Sequence, residues 1–271
     1  MSQKRQALSP AAARSTDPAD YQRVPRAVAA MPKDFADGFE IAPHSHERAQ
    51  LIYATAGTMR VATADGMWMV PPQRAVWMPA GVRHTITMSS DVTMRTLYLR
   101  DDVAGFMPDA CCVLPVSPLL RELIVRATEL PLHYDEAGAA GHVVALIVAE
   151  LRGLQSLPLQ LPMPQDPRLR GLCDRLLAAP GDQRTLAAWA RTVNASARTL
   201  ARHFRSETGL SFGAWRQQAR LLEAMGRLGG GAPVTQVALD LGYDSVSAFS
   251  AMFRRAAGAS PSHYRQRPSA T

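Results

Sequence analysis

Cysteine, lysine and long apolar runs are all scarce in this 271-residue chain. Its 3 cysteines are Cys111, Cys112 and Cys173. They form no CxxC pair and no disulfide framework. That excludes a stapled secreted scaffold and a cysteine-based zinc ribbon, and points to the cytoplasm. The longest apolar stretch is VVALIVA, from Val143 to Ala149. A membrane-spanning helix needs roughly 20 apolar residues, so none is expected. The first residues are basic but have no apolar segment behind them, so no secretory signal is expected either. Lysine occurs only at Lys4 and Lys33, which leaves arginine to carry the positive charge.

That charge is unevenly placed. The net formal charge is +7. Residues 1–165 carry 15 basic and 16 acidic side chains, whereas residues 166–271 carry 15 and 7. The excess therefore sits entirely in residues 166–271. A basic segment of that size suits a polyanionic partner, and nucleic acid is the commonest.

The pattern changes along the chain in four steps. Residues 1–33 are rich in Ala, Pro and Arg without periodicity and are expected to form a flexible arm. Residues 34–157 begin with short apolar runs separated by Gly and Pro (TMRVAT, GMWMVPP, AVWMPAG, HTITM, VTMRTLYL), the pattern of many short strands in a β barrel or sandwich. SPLLRELIVRATEL and GHVVALIVAELRGLQ then shift to helical spacing, the first opened by Ser117 and Pro118. Residues 158–167 are proline-rich and are expected to form a linker. Residues 168–268 read as helical throughout.

This last region repeats itself. SARTLARHFRSETG, from Ser196, matches SVSAFSAMFRRAAG, from Ser245, at an offset of about 49 residues. Ser opens both copies as an N-cap, and Gly209 and Gly258 close them. Leu200 and Phe204 correspond to Phe249 and Phe253, an i,i+4 pair on the buried face. The opposite face carries Arg198, Arg202 and Arg205 in the first copy and Ser247, Ala251 and Arg254 in the second. A shorter helix and a tight turn precede each copy: LAAWARTV with Asn194–Ala195, and TQVALDL with Gly242–Tyr243–Asp244. Helix, turn and capped helix with a polar stripe is the helix-turn-helix pattern, whose second helix enters the major groove. FGAWRQQARLLEAMGRL, between the units, reads as an amphipathic connecting helix.

These hundred residues resemble the DNA-binding domain of the AraC/XylS family of transcription regulators. VALDLGYDSVSAFSAMFRRAAGASPSHYR carries the match, through Gly242, Tyr243, Ser245, Phe249, Phe253, Gly258, Pro261, Tyr264 and Arg265. The resemblance implies two helix-turn-helix units on promoter DNA. Carried over by position, base reading falls to Arg198 and Arg202 in the first unit and to Ser247 and Ala251 in the second. Ser196, Thr199, Arg205, Ser245, Ala248, Arg254 and Arg255 complete the expected DNA face. Family members often carry Arg where this chain has Ala251, which weakens base reading by the second unit.

The strand-rich half holds GFEIAPHSHERAQLIYATAG and, further on, PAGVRH. The spacing resembles the two motifs of the cupin barrel. His44 and His46, two apart in a strand, share a face, and His84 could meet them from a neighbouring strand. Three imidazoles with an open position could hold a divalent metal. Gln50 stands where cupin enzymes carry a carboxylate, and Met88 where the motif closes with Asn.

The expected architecture is thus a two-domain α+β chain, a cupin-like β barrel with following helices and an all-α tandem helix-turn-helix domain. In the resembled family such a barrel implies a small-molecule effector, with His44, His46, Gln50, Tyr53, Trp68, Trp77 and His84 as candidate pocket residues. It also implies a homodimer and action on RNA polymerase. RAVWMPAGVRH and VSPLLREL resemble a subset of regulators that control neighbouring transporter genes. The alternative from another class is a cupin metalloenzyme with a helical appendage. It leaves the repeated recognition helices and the basic segment unexplained, so no catalytic residue is expected.

Overall fold

The computed structural model describes residues 15–157 and 160–264. Residues 1–14 of the expected arm, Pro158 and Leu159 of the linker, and Arg265 of the C-terminal motif lie outside the described residues.

The strands are β1 (Val28–Phe35), β2 (Glu40–His44), β3 (Ala49–Ala56), β4 (Met59–Ala62), β5 (Gly66–Val70), β6 (Arg74–Met78), β7 (His84–Met88), β8 (Val92–Leu99), β9 (Cys112–Pro115) and β10 (Leu161–Pro162). They form two five-stranded antiparallel sheets, ordered β1-β8-β3-β6-β9 and β10-β5-β4-β7-β2. Alternate residues of both sheets meet in one apolar interior. Ile52, Val76 and Met94 come from the first sheet and Val61, Trp68 and Ile86 from the second. This is the closed, barrel-like arrangement expected of period-two strands with one buried face.

The first sheet's outer face is covered by helices. A short α1 (Asp101–Ala104) precedes β9, and α2 (Pro118–Glu129) and α3 (Ala139–Arg152) follow it. Ser117 accepts a hydrogen bond from the Leu120 amide, and Pro118 takes the first turn, the expected helix opening. Leu120, Ile124 and Ile147 pack against Leu51, Tyr53 and Trp77.

The expected arm is shorter than its composition suggests. Residues 28–33 belong to β1, paired along β8 from Val28↔Leu99 onward. Ahead of them a 3-10 turn, Pro18–Tyr21, buries Tyr21 against Tyr98 at 6.0 Å. Buried Arg48 holds the segment down. Its guanidinium donates to the carbonyls of Gln22 (2.7 Å), Arg26 (3.0 Å) and Val24. These partners lie more than twenty residues away, so no local pattern announces them.

The second half runs α4 (Pro167–Ala178), α5 (Leu186–Thr192), α6 (Ala197–Thr208), α7 (Phe212–Gly229), α8 (Val234–Asp240), α9 (Val246–Ala257) and α10 (Pro261–Tyr264). Ser196 and Ser245 cap α6 and α9 as expected, accepting from the Thr199 and Ala248 amides at 3.1 Å each. Asn194 and Gly242 take left-handed φ values of 52° and 75° at the two turns. Aromatic edges fill both units. Phe204 meets Phe212 and Trp215, and Phe253 meets Phe249 and Tyr264.

The two halves are packed together. Helix α7 lies across β5 and β10. A Cβ on Gly226 would meet the Met69 Cε at 3.2 Å, and one on Gly229 would meet the Thr58 Oγ1 at 2.5 Å. Trp215 donates its indole N–H to the Pro162 carbonyl at 2.7 Å. The expected linker therefore contains β10, an edge strand on β5, where proline is tolerated. Its end at residue 167 falls inside α4, which opens on Pro167 behind the Asp166 cap.

Candidate DNA interface and barrel pocket

Helices α6 and α9 each bury one face and leave the other exposed. In α6 the buried residues are Leu200, Phe204 and Thr208, and in α9 they are Phe249, Met252 and Phe253. All of Ser196, Arg198, Thr199, Arg202, Arg205, Ser245, Ser247, Ala248, Ala251, Arg254 and Arg255 are exposed. The ion pairs of the second half engage Arg184 and Arg227, so among the described residues no ion pair engages the α6 arginines. Guanidiniums left unpaired on an exposed stripe can give bidentate bonds to guanine or single bonds to phosphate. Arg255 also lines a cleft with Arg216 and Arg220, extending the basic surface from α9 onto α7.

In the barrel, His44 and His84 are paired residues on β2 and β7. A register shift after Ile41 brings them opposite each other. His46 lies just beyond β2, in the β2–β3 turn, rather than on the shared strand face that its spacing suggests. The turn still converges, because the Gly81 amide of the PAGVRH segment donates to the His46 carbonyl at 2.9 Å. The ring centroids stand 4.3 Å (His44–His84), 4.8 Å (His44–His46) and 5.6 Å (His46–His84) apart. Burial pushes the His84 imidazole down to about 4. His46 is also pushed down to about 4, by burial first and then by the neighbouring His44 and His84. Both rings are therefore neutral at pH 7.

These histidines adjoin an open pocket of about 630 Å³ between the two sheets, lined by His44, His46, Gln50, Met94 and Tyr98 among others. His84 is buried behind His44 rather than on the lining. Gln50 is buried, and its amide N–H₂ donates to the Thr96 hydroxyl (3.1 Å) and the Tyr98 hydroxyl (3.4 Å).

Three expected pocket residues are elsewhere. Tyr53 and Trp77 face out of the barrel into the apolar layer beneath α2 and α3, where the Trp77 indole donates to the Pro108 carbonyl at 2.9 Å. Parity decides this: Gln50 and Tyr53 are an odd number apart on β3, so they lie on opposite faces. Trp68 is closed into the packed interior and does not line the pocket.

Comparison with known proteins assigns both halves. Residues 35–132 match the AraC-like ligand binding domain, and residues 189–267 match a helix-turn-helix domain. The HTH-type transcriptional regulator NimR of Escherichia coli K12 is 36% identical over 82% of this chain and 81% of that protein. This chain belongs to the AraC family of transcriptional regulators.

The arabinose operon regulatory protein of E. coli K12 is a further family member, 31% identical over 59% of this chain and 54% of its own length. The solved structure of ToxT from Vibrio cholerae aligns with 88% of this chain and 98% of that one, at 10% identity and a TM-score of 0.37. NimR and the arabinose operon regulatory protein are transcriptional regulators, not enzymes, and the metalloenzyme alternative falls with them. Among the described residues no helix is long and apolar enough to cross a membrane.

The pocket is also lined by residues outside the cupin-like motifs. Tyr98 stacks edge-on to His46 at 5.0 Å, and Met94 and Tyr98 share one face of β8. Their even spacing with Thr96 in VTMRTLYL was the available signal. Asp17 and Gln22 reach the mouth from the packed N-terminal segment. The Asp17–Pro18 helix-start pair was the available signal there.

Proposed function

We propose that this AraC-family regulator binds a specific promoter sequence through α6 and α9 and does so under the control of a small molecule held in the barrel pocket. The observation that carries the reading is the pair of capped helices with exposed outer faces, one bearing Arg198, Arg202 and Arg205 without ion-pair partners. Arg198 and Arg202 read bases. Arg205, Arg254 and Arg255 hold phosphates, and Ser196, Thr199, Ser245, Ser247, Ala248 and Ala251 line the groove. The chain works in the cytoplasm as a homodimer, meets RNA polymerase at the promoter, and controls a neighbouring transporter or catabolic gene.

Effector control requires two states of unequal effector affinity, because a ligand that binds both equally shifts nothing. The α7 contact with β5 and β10 is where barrel and DNA-binding half can exchange that free energy.

The test is retention of sheared genomic DNA from the source organism by the purified chain at about 0.15 M salt, where non-specific phosphate binding is weakened. Enrichment of one or a few promoter fragments is expected. Uniform retention of all fragments, unchanged in the Arg198→Ala and Arg202→Ala variants, would overturn the reading.

A further inference from the structure

The three histidines are poised as ligands in more than their clustering. His44 and His84 each place Nδ1 against a backbone carbonyl, Ala42 at 2.8 Å and Val82 at 2.9 Å. A carbonyl only accepts, so Nδ1 carries a proton in both rings, and in a neutral imidazole that leaves the lone pair on Nε2. A carbonyl fixing Nδ1–H is the usual outer support of a metal-bound imidazole. The Nε2 atoms of His46 and His84 are buried and have no hydrogen-bond partner. The Gln50 Oε1 is a third buried acceptor without one. Its amide is oriented by the two bonds from Nε2 to Thr96 and Tyr98, and Thr96 in turn donates to the Leu51 carbonyl at 2.9 Å. Buried acceptors left unmet in one place need an explanation, and an unseen ion is a standard one.

The donor set is also unusual in charge. The three imidazoles offer nitrogens all within 4.8 Å of one another, and among the described residues no Asp or Glu oxygen joins the group. The nearest carboxylate in sequence, Glu47, is turned to Arg23 at 3.1 Å. We propose that His44, His46 and His84 bind one divalent transition-metal ion, with the Gln50 amide oxygen beside them, and that this ion is the anchor for an anionic donor group of the effector. Imidazole nitrogen suits zinc, nickel, cobalt and iron, and the absence of carboxylate disfavours magnesium and calcium. Metal–nitrogen bonds of about 2.0–2.1 Å require the rings to close in around the ion. His44 is only partly buried and has room to do so. Because every protein donor is neutral, the ion keeps its full double charge, and an exogenous anion on its pocket-facing side neutralises it. His44, His46 and Gln50 all line the pocket, so the open position faces the space the effector occupies. The metal centre stands by itself; its role as effector anchor rests on the pocket being the effector site.

The full-length chain, stripped with a chelator, is titrated with Co²⁺ and followed by ligand-field absorption. One ion per chain is expected, displaced by Zn²⁺. Half-exposed His44 gives a variant that spares the core, and His44→Gln should weaken Co²⁺ at least tenfold with the circular dichroism unchanged. Azide is the anionic probe, and it should shift the cobalt spectrum. Gln50→Glu supplies the missing negative charge, so it should tighten cobalt and weaken azide by tenfold or more. Absence of a saturable cobalt band, or a band untouched by His44→Gln and by His46→Gln, overturns the metal centre. A stoichiometric cobalt site whose spectrum ignores azide overturns the anchoring role. One cobalt per chain together with uniform DNA retention would instead uphold the centre and overturn the regulator reading.

Discussion

Single side chains decide two separate properties of this molecule. On α6, Arg198 and Arg202 point into solvent without ion-pair partners, so their guanidiniums are free to read guanine edges. Replacing either with Ala should cost roughly 1–3 kcal/mol of discrimination between the selected promoter and random duplex. Competition binding measures it, and equal loss on both DNAs would place that arginine on phosphate instead. In the barrel, His46 and His84 are buried neutral, each pushed down to about 4. Unfolding returns them to about 6.5, so between those values the unfolded chain holds more protons than the folded one. The metal-free protein should therefore keep its full stability above pH 6.5 and lose it as pH falls toward 4. Denaturant melts across that window check the sign. His46→Gln should flatten the dependence. The parity of side chains was readable at this scale and was misjudged at Tyr53 and Trp77, whose aromatic character suggested a pocket wall. The orphaned polar atoms of His46, His84 and Gln50 were not readable, because they depend on what one turn and two strands leave unpaired.

Elements were the most legible level. The Ser caps, the closing glycines and the buried i,i+4 pairs of α6 and α9 are all local, so the repeat in sequence became a repeat in space. Gly209 and Gly258 end both helices at φ values of 72° and 76°. Ser245→Ala removes the bond to the Ala248 amide and should cost about 1 kcal/mol of stability. Thermal melts test this, with Ser250→Ala, inside the same helix, as the control. Arg205 and Arg254 sit in the last turns of their helices, away from the N-terminal ends proposed to read bases. Changing either to Ala should weaken binding to every sequence alike and reduce the salt slope by about one unit, the signature of one lost phosphate contact. What composition missed was the N-terminal segment. Its lack of periodicity reads as a loose arm, yet Tyr21 and Val24 are buried and Arg48 collects three of its carbonyls. Those contacts are long-range and leave no local mark.

The whole molecule joins a nearly neutral barrel to a strongly basic helical half across a tight contact. Gly229 lets α7 approach Thr58 closer than a side chain permits without a shift, and a Cβ on Gly226 would press on the end of Met69. Gly229→Val should force the halves apart and raise the rate of protease cleavage at residues 158–166. An unchanged cleavage rate would show that the contact does not restrain the halves in solution. The strand β10 belongs to the barrel by its pairing with β5 and to the helical half by the Trp215 bond to Pro162. That shared ownership bears on how such proteins can be recombined. A hybrid regulator cut within residues 158–167 would set one parent's barrel face against the other's α7, so the packing of α7 on β5 and β10 would be mismatched. Functional chimeras should instead inherit barrel, β10 and the touching face of α7 from one parent, which makes the seam between sensor and reader run through a helix rather than through the proline-rich stretch.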